Sequence, residues 1–293
     1  MTEQKQSAGL RRVMPGEIIP IGTGPRNRVI AVTGGKGGVG KSTIAVNLAV
    51  HWARRGSRTL AVDGDLGMAD LNLLLGLAPA RSLLDVVQGC PVEDVLVEAH
   101  GIKLLPALNG SFALANLDAH SRATIFRAVE KLGDSFDTLV VDTPAGIGES
   151  AMAFAGAAAD IVIVATPEPL SLADAYACLK VLTMRHGISR AYLLPNAVRS
   201  PSEAEEVVNR LTALVDRFLG ISLIPLPAVP WDPQVPIAAA AGLPLVLHSP
   251  DGPAARGIAK AARRIDALAE SEGSRVGSWL KNALATAGGK AGQ

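Results

Sequence analysis

The sequence is short of aromatic residues and of net charge. Only 3% of its 293 residues are Phe, Trp or Tyr, whereas hydrophobic residues make up 48%, so Leu, Val, Ile and Ala must supply the core. The formal net charge is +1, from 28 basic and 27 acidic residues. A chain this close to neutral lacks the broad positive field of a strong non-specific DNA-binding protein, although the balance leaves room for a local basic patch.

Cysteines and long apolar runs are also scarce. Cys90 and Cys178 lie far apart, with no second Cys or His at metal-ligand spacing, which argues against zinc and against a disulfide framework. They are typical of reduced thiols in a cytosolic protein. The longest apolar runs are interrupted by Asp160 or Pro244, well short of the ~20 residues that a membrane-spanning helix needs. Because residues 1–27 carry no secretory signal, the chain is predicted to be cytoplasmic.

The sequence does contain a phosphate-binding loop. From Gly35 to Ser42 it reads G-K-G-G-V-G-K-S, which fits the pattern G-x-x-x-x-G-K-[ST] without exception. The loop follows an apolar run at 29–33 and precedes a helical pattern at 42–55, the context that this motif requires. Glycine lets backbone N–H groups turn inward around phosphates, and the start of the helix adds its positive dipole end. The loop is therefore predicted to bind a nucleotide.

Each polar side chain of this loop has an expected role. Lys41 is expected to reach the β- and γ-phosphates, and the Ser42 hydroxyl to ligate Mg²⁺. Lys36, a second lysine, cannot easily fold back on its own nucleotide because the loop backbone already surrounds those phosphates. It can instead reach a nucleotide held by a facing subunit, as an arginine finger supplied in trans does. The predicted nucleotide-binding residues of the loop are Gly35, Gly37, Gly38, Val39, Gly40, Lys41, Ser42 and Thr43.

Short apolar runs alternate with helical patterns along the chain. Strands are predicted at 29–33, 58–63, 102–105, 138–142, 160–165, 190–195 and 221–229. Helices are predicted at 42–55, 69–76, 82–88, 121–132, 150–158, 171–185, 202–218 and 254–270. The alternation favours a doubly wound α/β fold, a mostly parallel sheet with helices on both faces and its ligand at the carboxyl ends of the strands. The proline-rich stretch from Pro225 to Pro236 is predicted to be a loop, since proline cannot donate within a central strand.

Three predicted strands end in residues that suit nucleotide chemistry. After the second strand, Asp65 is assigned to orienting the attacking water, and Asp63 to the phosphate–metal shell or to holding the loop; capping of the next helix is the alternative for both. Asp142 follows four apolar residues, the Walker B pattern, and is expected to hold Mg²⁺, usually through water. Asn196 follows the run 190–195 and carries a planar amide that suits the edge of adenine, although asparagine is also a common turn residue.

The segments at the two ends of the chain have their own patterns. Residues 1–27 are predicted to be a flexible tail, with a segment that could fold on a partner, and residues 28–270 to be a single domain. Residues 271–293 are predicted to form an amphipathic membrane-targeting helix and tail. The apolar residues at helical spacing are Val276, Trp279, Leu280, Ala283, Leu284 and Ala287. Such a face, beside Lys and Arg, fits an anionic membrane surface; a final helix packed on the core is the alternative.

Taken together, the motifs resemble the MinD/ParA family of P-loop ATPases, and most closely its FlhG/FleN branch, the MinD-like regulators of flagellar number. The family resemblance lies in the deviant Walker A wording K-G-G-V-G-K-S, in D-G-D-L-G at 63–67 and in D-T-P-A-G-I-G at 142–148, all in family order. The stretches 166–176, 196–201 and 229–233 resemble the flagellar branch.

This resemblance implies a SIMIBI/MinD-like P-loop NTPase fold, ATP hydrolysis with Mg²⁺, and an ATP-dependent homodimer in which Lys36 acts in trans. It also implies that Asp65 positions water, that Asn196 reads adenine, and that Glu168 and Asp174 fall at the dimer or partner face. ATP-bound protein would associate peripherally with the inner membrane through Trp279, Leu280 and Leu284. The implied partners are the flagellar GTPase FlhF and a flagellar transcription activator.

Three other functions remain open at this point. A MinD-type septum-positioning ATPase shares the motifs of both branches. A ParA-type DNA-segregation ATPase is disfavoured by the near-neutral charge and by the Trp279–Leu280 face, so direct DNA binding is not expected. A nitrogenase-type iron protein would need a cysteine pair near a dimer axis, and no cysteine follows the Asp142 motif closely.

Overall fold

A computed structural model describes most of the domain that the sequence predicts. The described residues are 28–64, 70–106 and 135–268, with the single positions 124 and 132; of Glu149 and Ser150 only the backbone is described. Asp65, nearly all of the predicted helix 121–132, the segment 1–27 and the segment 269–293 lie outside this set. What was predicted for them stays a prediction.

Strands and helices alternate along the described residues. The strands are β1 Arg28–Thr33, β2 Thr59–Asp63, β3 Val97–Ala99, β4 Ile102–Leu105, β5 Thr138–Asp142, β6 Asp160–Ala165, β7 Arg190–Val198, β8 Ser222–Pro225 and β9 Val229–Pro230. The helices are α1 Lys41–Ala53, α2 Leu71–Leu74, α3 Leu83–Val87, α4 Glu149–Gly156, α5 Pro169–His186, α6 Pro201–Phe218, α7 Gln234–Ala240, α8 Leu245–His248 and α9 Pro253–Leu268, with one 3₁₀ turn at Val92–Asp94.

One sheet joins these strands in the order β3-β4-β2-β5-β1-β6-β7-β8, and β9 pairs separately with β7. Every pair is parallel except β3 with β4, which is antiparallel. The central strand β1 is buried along its whole length. Its alternate residues face opposite layers: Ile30 and Val32 pack with α1 and α9, whereas Ala31 packs with α4, α5 and α6. This confirms the predicted doubly wound fold with helices on both faces.

The proline-rich stretch 225–236 is the main error of the sequence interpretation. Predicted as a loop, it contains the end of β8, the short strand β9 and the start of α7. The predicted strand 221–229 is correspondingly two strands. The reason is that its prolines stand where no N–H is needed: Pro225 ends an edge strand, and Pro236 lies in the first turn of a helix, whose N–H groups have no intrahelical partner.

Three further elements were not predicted: the edge strand β3 and the short helices α7 and α8. Each spans seven residues or fewer, too short for a hydrophobic periodicity to show. No helix among the described residues combines the length and the apolar character that crossing a bilayer requires.

Candidate functional site

The carboxyl ends of three central strands bring the predicted site residues together. Asp63 at the end of β2 and Asp142 at the end of β5 are direct register partners, and Val32 of β1 is the partner of Asp142 on its other side. Neighbouring strands lie about 4.8 Å apart, so both carboxylates stand beside the loop that leaves β1. Asp63 and Asp142 are buried, at 2% and 3% exposure.

The loop between β1 and α1 has the backbone of a phosphate cradle. Gly38 and Gly40 have φ angles of 77° and 93°, in the left-handed region that favours glycine. A Cβ on Gly35 would lie 2.0 Å from the backbone oxygen of Asp174 in α5, so this glycine is also required by packing. Lys41 is buried, and its Nζ donates to the Lys36 carbonyl at 3.2 Å. The amino group therefore lies over the loop that precedes it.

Lys36 forms an ion pair with a residue outside this cradle. Its Nζ donates to Glu168 Oε2 at 2.5 Å, and the two side chains are 34% and 66% exposed. An ion pair at this exposure contributes about 0–1 kcal/mol, because water screens both charges. Lys36 is thus held at the surface by an interaction that costs little to break. This position leaves its charge available to an external anion.

The segment after Asp142 is tied to the neighbouring strands at its start. Both the backbone N–H and the Oγ1 of Thr143 donate to the Val32 carbonyl, each at 3.1 Å. The Gly64 N–H donates to the Asp142 carbonyl at 2.8 Å. Three residues beyond Thr143, Gly146 has a φ of 92° with open space around it. The acid is therefore rigidly placed, while the segment that follows has room to move.

Asp63 has a structural contact of its own. Its Oδ2 accepts the N–H of Leu71, the first residue of α2, at 3.1 Å in a buried setting. This is the helix-capping contact that the sequence left open as an alternative. It joins the end of β2 to the start of α2, and the part predicted for Asp63 in the phosphate–metal shell stays a prediction.

Asn196 lies inside β7 rather than after it, and its amide touches the phosphate loop. Asn196 Nδ2 donates to the Val39 carbonyl at 2.8 Å. A Cβ on Gly40 would lie 2.5 Å from the same nitrogen, so the loop and the amide are closely fitted. The next residue, Ala197, has a φ of 55°, an unusual conformation for a residue with a side chain. Asn196 therefore supports the loop, and its predicted role at adenine stays a prediction.

Replacing Asn196 by alanine is expected to weaken the binding of ATP and GTP alike by about fivefold to tenfold, because one hydrogen bond to the loop contributes about 1 kcal/mol. A contact with adenine would add a loss for ATP alone. Isothermal titration with both nucleotides separates the two roles. The matched control is Asn209→Ala on the exposed face of α6. Unchanged affinity for both nucleotides would contradict the supporting role.

The residues of this edge fit ATP and Mg²⁺. Mg²⁺ is bound in proteins by one or two carboxylates together with phosphate oxygens and water. Asp63, Asp142 and the half-buried Ser42 offer such oxygens beside the cradle. The left-handed glycines leave the loop backbone open to a phosphate chain, and Lys41 supplies the buried positive charge. These residues would hold the phosphates and the metal.

The two cysteines lie apart, Cys178 buried and Cys90 only partly buried. Cys178 is buried against Thr33 and Met152, and burial raises the pKa of its thiol to about 12. Cys90 packs against a different apolar cluster. At neutral pH Cys178 is a neutral thiol, which suits packing beneath the loop rather than metal binding.

Some contacts of the site had no sequence signal. The pairing of Lys36 with Glu168 and the packing of Gly35 on Asp174 join positions far apart in the chain. The P-E-P wording at 167–169 does mark the start of α5, since Pro169 is its first residue. Asp65 lies outside the described residues, as do Trp279, Leu280 and Leu284.

Known proteins share this architecture and these motifs. A family model described as ParA, NUBPL iron-transfer P-loop NTPase, matches residues 26–266. The antiactivator FleN of Pseudomonas aeruginosa is 42% identical over 210 residues, which cover 71% of this chain and 75% of FleN. The flagellum site-determining protein YlxH of Helicobacter pylori is 34% identical over 186 residues, and the match spans 63% of each protein.

One solved structure that resembles this chain contains a bound nucleotide. The septum site-determining protein MinD of Pyrococcus horikoshii, complexed with Mg-ADP, superimposes with a TM-score of 0.66 at 26% identity. The match covers 82% of this chain and 96% of that one.

Proposed function

The chain belongs to the ParA/MinD family of P-loop NTPases, and from that premise we propose that it is an ATP-driven switch that regulates flagellar number or placement. Members of this family are ATPases, and this chain is an ATPase whose ligands are ATP, ADP and Mg²⁺. The observation that carries the flagellar role is the 42% identity to the antiactivator FleN. The similarity to the flagellum site-determining protein YlxH supports the same role.

The proposed chemistry divides among the residues at the strand ends. The loop backbone and Lys41 bind the phosphates, while Ser42 and Asp142 hold Mg²⁺, which neutralises charge that develops on the phosphoryl oxygens. Asp65 would orient the attacking water. In this division, Asp63 contributes to the metal shell while it caps α2. Asn196 supports the loop at Val39 and faces the base.

Catalysis in this proposal is completed by a second copy of the chain. The Lys36 side chain is partly exposed and is held by an ion pair with Glu168. Two chains that face each other over two ATP molecules would exchange these lysines, each adding positive charge to the partner's phosphates. Formation of the closed dimer then depends on the γ-phosphate. The ATP-bound chain would therefore dimerise and the ADP-bound chain would not.

The proposed output of the switch is location and partner choice. We divide the chain into a tail at 1–27, the ATPase domain at 28–270 and an amphipathic membrane-targeting segment at 271–293. Two weak anchors on one dimer bind more tightly than one, because the second is held at high effective concentration. The partners that we propose are an FlhF-like GTPase and a flagellar transcription regulator.

Deletion of the gene tests the flagellar assignment directly. Loss of an antiactivator should raise the number of flagella per cell, counted by electron microscopy, and reintroduction of the wild-type gene should restore the count. Septum-site MinD is the second candidate, favoured by the structural match to MinD. Misplaced septa with a normal flagellar count would contradict the flagellar role and support this alternative.

A further inference from the structure

The outward side of α9 carries a row of cations. The inner side packs on the sheet through small and branched apolar residues: Ala254, Ala255, Gly257, Ile258, Ala261, Ala262 and Ile265. Arg256, Lys260, Arg263 and Arg264 are exposed on the opposite side. Spacings of three and four residues make these cations neighbours on the helix surface. They form one positive strip along the helix.

The end of α1 extends this strip. Arg54 and Arg55 are exposed there. The two helices are fixed to each other by Asp266 of α9, which accepts from Trp52 Nε1 at 2.9 Å and from Arg28 at 2.6 Å. We call the exposed cations of both helices the basic face. Its members are Arg54, Arg55, Arg256, Lys260, Arg263 and Arg264.

The partly buried His51 reports that the cations of both helices lie close together. Its pKa is lowered to about 4, first by burial and then by Arg55, with Arg263 and Arg54 acting in the same direction. Asp266 acts in the opposite direction and does not cancel this effect. The Trp52–Asp266 hydrogen bond holds α1 and α9 together beside this ring, so the positive charges of both helices lie near one another.

The basic face has little compensation from acids. Among the residues that the structure describes, no ion pair is formed by its six members, whereas the exposed Arg58 and Arg210 each have an acidic partner. The nearby Asp266 is already engaged, and the Asp251 carbonyl accepts from the Arg256 guanidinium. Because the whole chain has 28 basic against 27 acidic residues, this face is a local concentration of charge.

We propose that the basic face contacts an anionic lipid bilayer and acts together with the segment 271–293. The helix α9 ends at Leu268, so only residues 269–275 separate it from Val276, where the predicted amphipathic face begins. A single weak anchor gives reversible binding, and a basic surface beside it supplies the second contribution. Duplex DNA is the other anionic partner, but the apolar face predicted at Trp279 and Leu280 would have no role on a phosphate backbone.

This inference rests on the proposed membrane association, and its test separates the two. The full chain with Lys260→Ala and Arg264→Ala is sedimented with phosphatidylglycerol vesicles in ATP and Mg²⁺. Each lost cation should weaken binding about fivefold, so the double variant should bind about 25-fold more weakly. The matched control is Lys180→Ala with Arg185→Ala, two exposed cations of α5 on the opposite face of the sheet. Its binding should equal that of the wild type.

Each outcome of this experiment has one meaning. If the wild type binds, Trp279→Glu abolishes binding and the α9 variant binds like the wild type, the basic face has no part and the membrane proposal survives. If the wild type does not bind these vesicles, both fail. Thermal unfolding of the variant should match that of the wild type. A variant that loses affinity for random duplex DNA but keeps its vesicle binding would assign the face to nucleic acid and overturn the inference.

Discussion

Lys36→Ala is expected to abolish measurable ATP turnover while the single chain binds nucleotide about as tightly as the wild type. The Lys36 side chain forms an exposed ion pair with Glu168. Lys41 donates to the backbone carbonyl of residue 36, which an alanine at this position retains. A cation supplied in trans to transferring phosphates raises turnover about 10³- to 10⁵-fold. Phosphate release and nucleotide titration, measured on the same preparation, check both parts.

The control for this variant is Lys103→Ala, which removes an exposed lysine from β4. Its turnover should equal that of the wild type. Turnover near the wild-type rate in Lys36→Ala would contradict the role of Lys36. A large loss of nucleotide affinity would instead place the lysine at its own nucleotide.

Asp142→Asn is expected to lower turnover about 10- to 100-fold and to raise the Mg²⁺ concentration that is needed for half-maximal activity, because a residue that holds a metal through water typically contributes this much. Asp142 is buried beside Asp63 at the edge of the phosphate loop, and asparagine keeps its size but removes its charge. Phosphate release is measured over a series of Mg²⁺ concentrations. An unchanged Mg²⁺ dependence would contradict the assignment.

Asp160→Asn is the matched control, because Asp160 is a buried aspartate of the same sheet. It begins β6, at the edge of the sheet opposite to the one where Asp142 lies. It pairs with Arg190 at 3.2 Å, and burial raises its pKa. Its replacement is expected to affect stability and to leave the Mg²⁺ dependence of turnover unchanged.

The two inactive variants together distinguish action in trans from action in cis. In a mixed dimer, the Lys36→Ala chain keeps its own Asp142 and receives Lys36 from the Asp142→Asn chain. One of the two ATP sites of the mixed dimer is then complete. An equal mixture of the variants should therefore recover up to about a quarter of wild-type activity if the chains pair at random. If Lys36 acted on its own nucleotide, the mixture would stay inactive.

The parts of this molecule that the sequence predicted are those encoded locally. The bounds predicted for β4, β5 and β6 match the structure residue for residue, because each strand is a short run rich in Ile, Leu and Val that a polar residue, a glycine or a proline interrupts or bounds. The phosphate loop is equally clear, since its glycines and Lys41 all lie within the short stretch from Gly35 to Lys41. A motif of this kind needs no knowledge of the rest of the fold.

The parts that could not be predicted depend on packing between distant residues. Asn196 supports the Val39 carbonyl from 157 positions away, and no local pattern reports that contact. The ion pair of Lys36 with Glu168 joins residues 132 positions apart. The prediction for the proline-rich stretch was wrong for a related reason. Whether a proline ends a helix or strand depends on which backbone N–H groups form hydrogen bonds there, and Pro236 occupies a position where none is needed.

The proposal as a whole depends on two chains closing over two ATP molecules, and the molar mass of the protein in solution tests this most directly. Light scattering is measured at equal protein concentration with Mg-ADP and with Mg²⁺ and a non-hydrolysable ATP analogue. The proposal predicts the 30.2 kDa single chain with ADP and twice that mass with the analogue. A single-chain mass at saturating analogue would contradict the proposed switch.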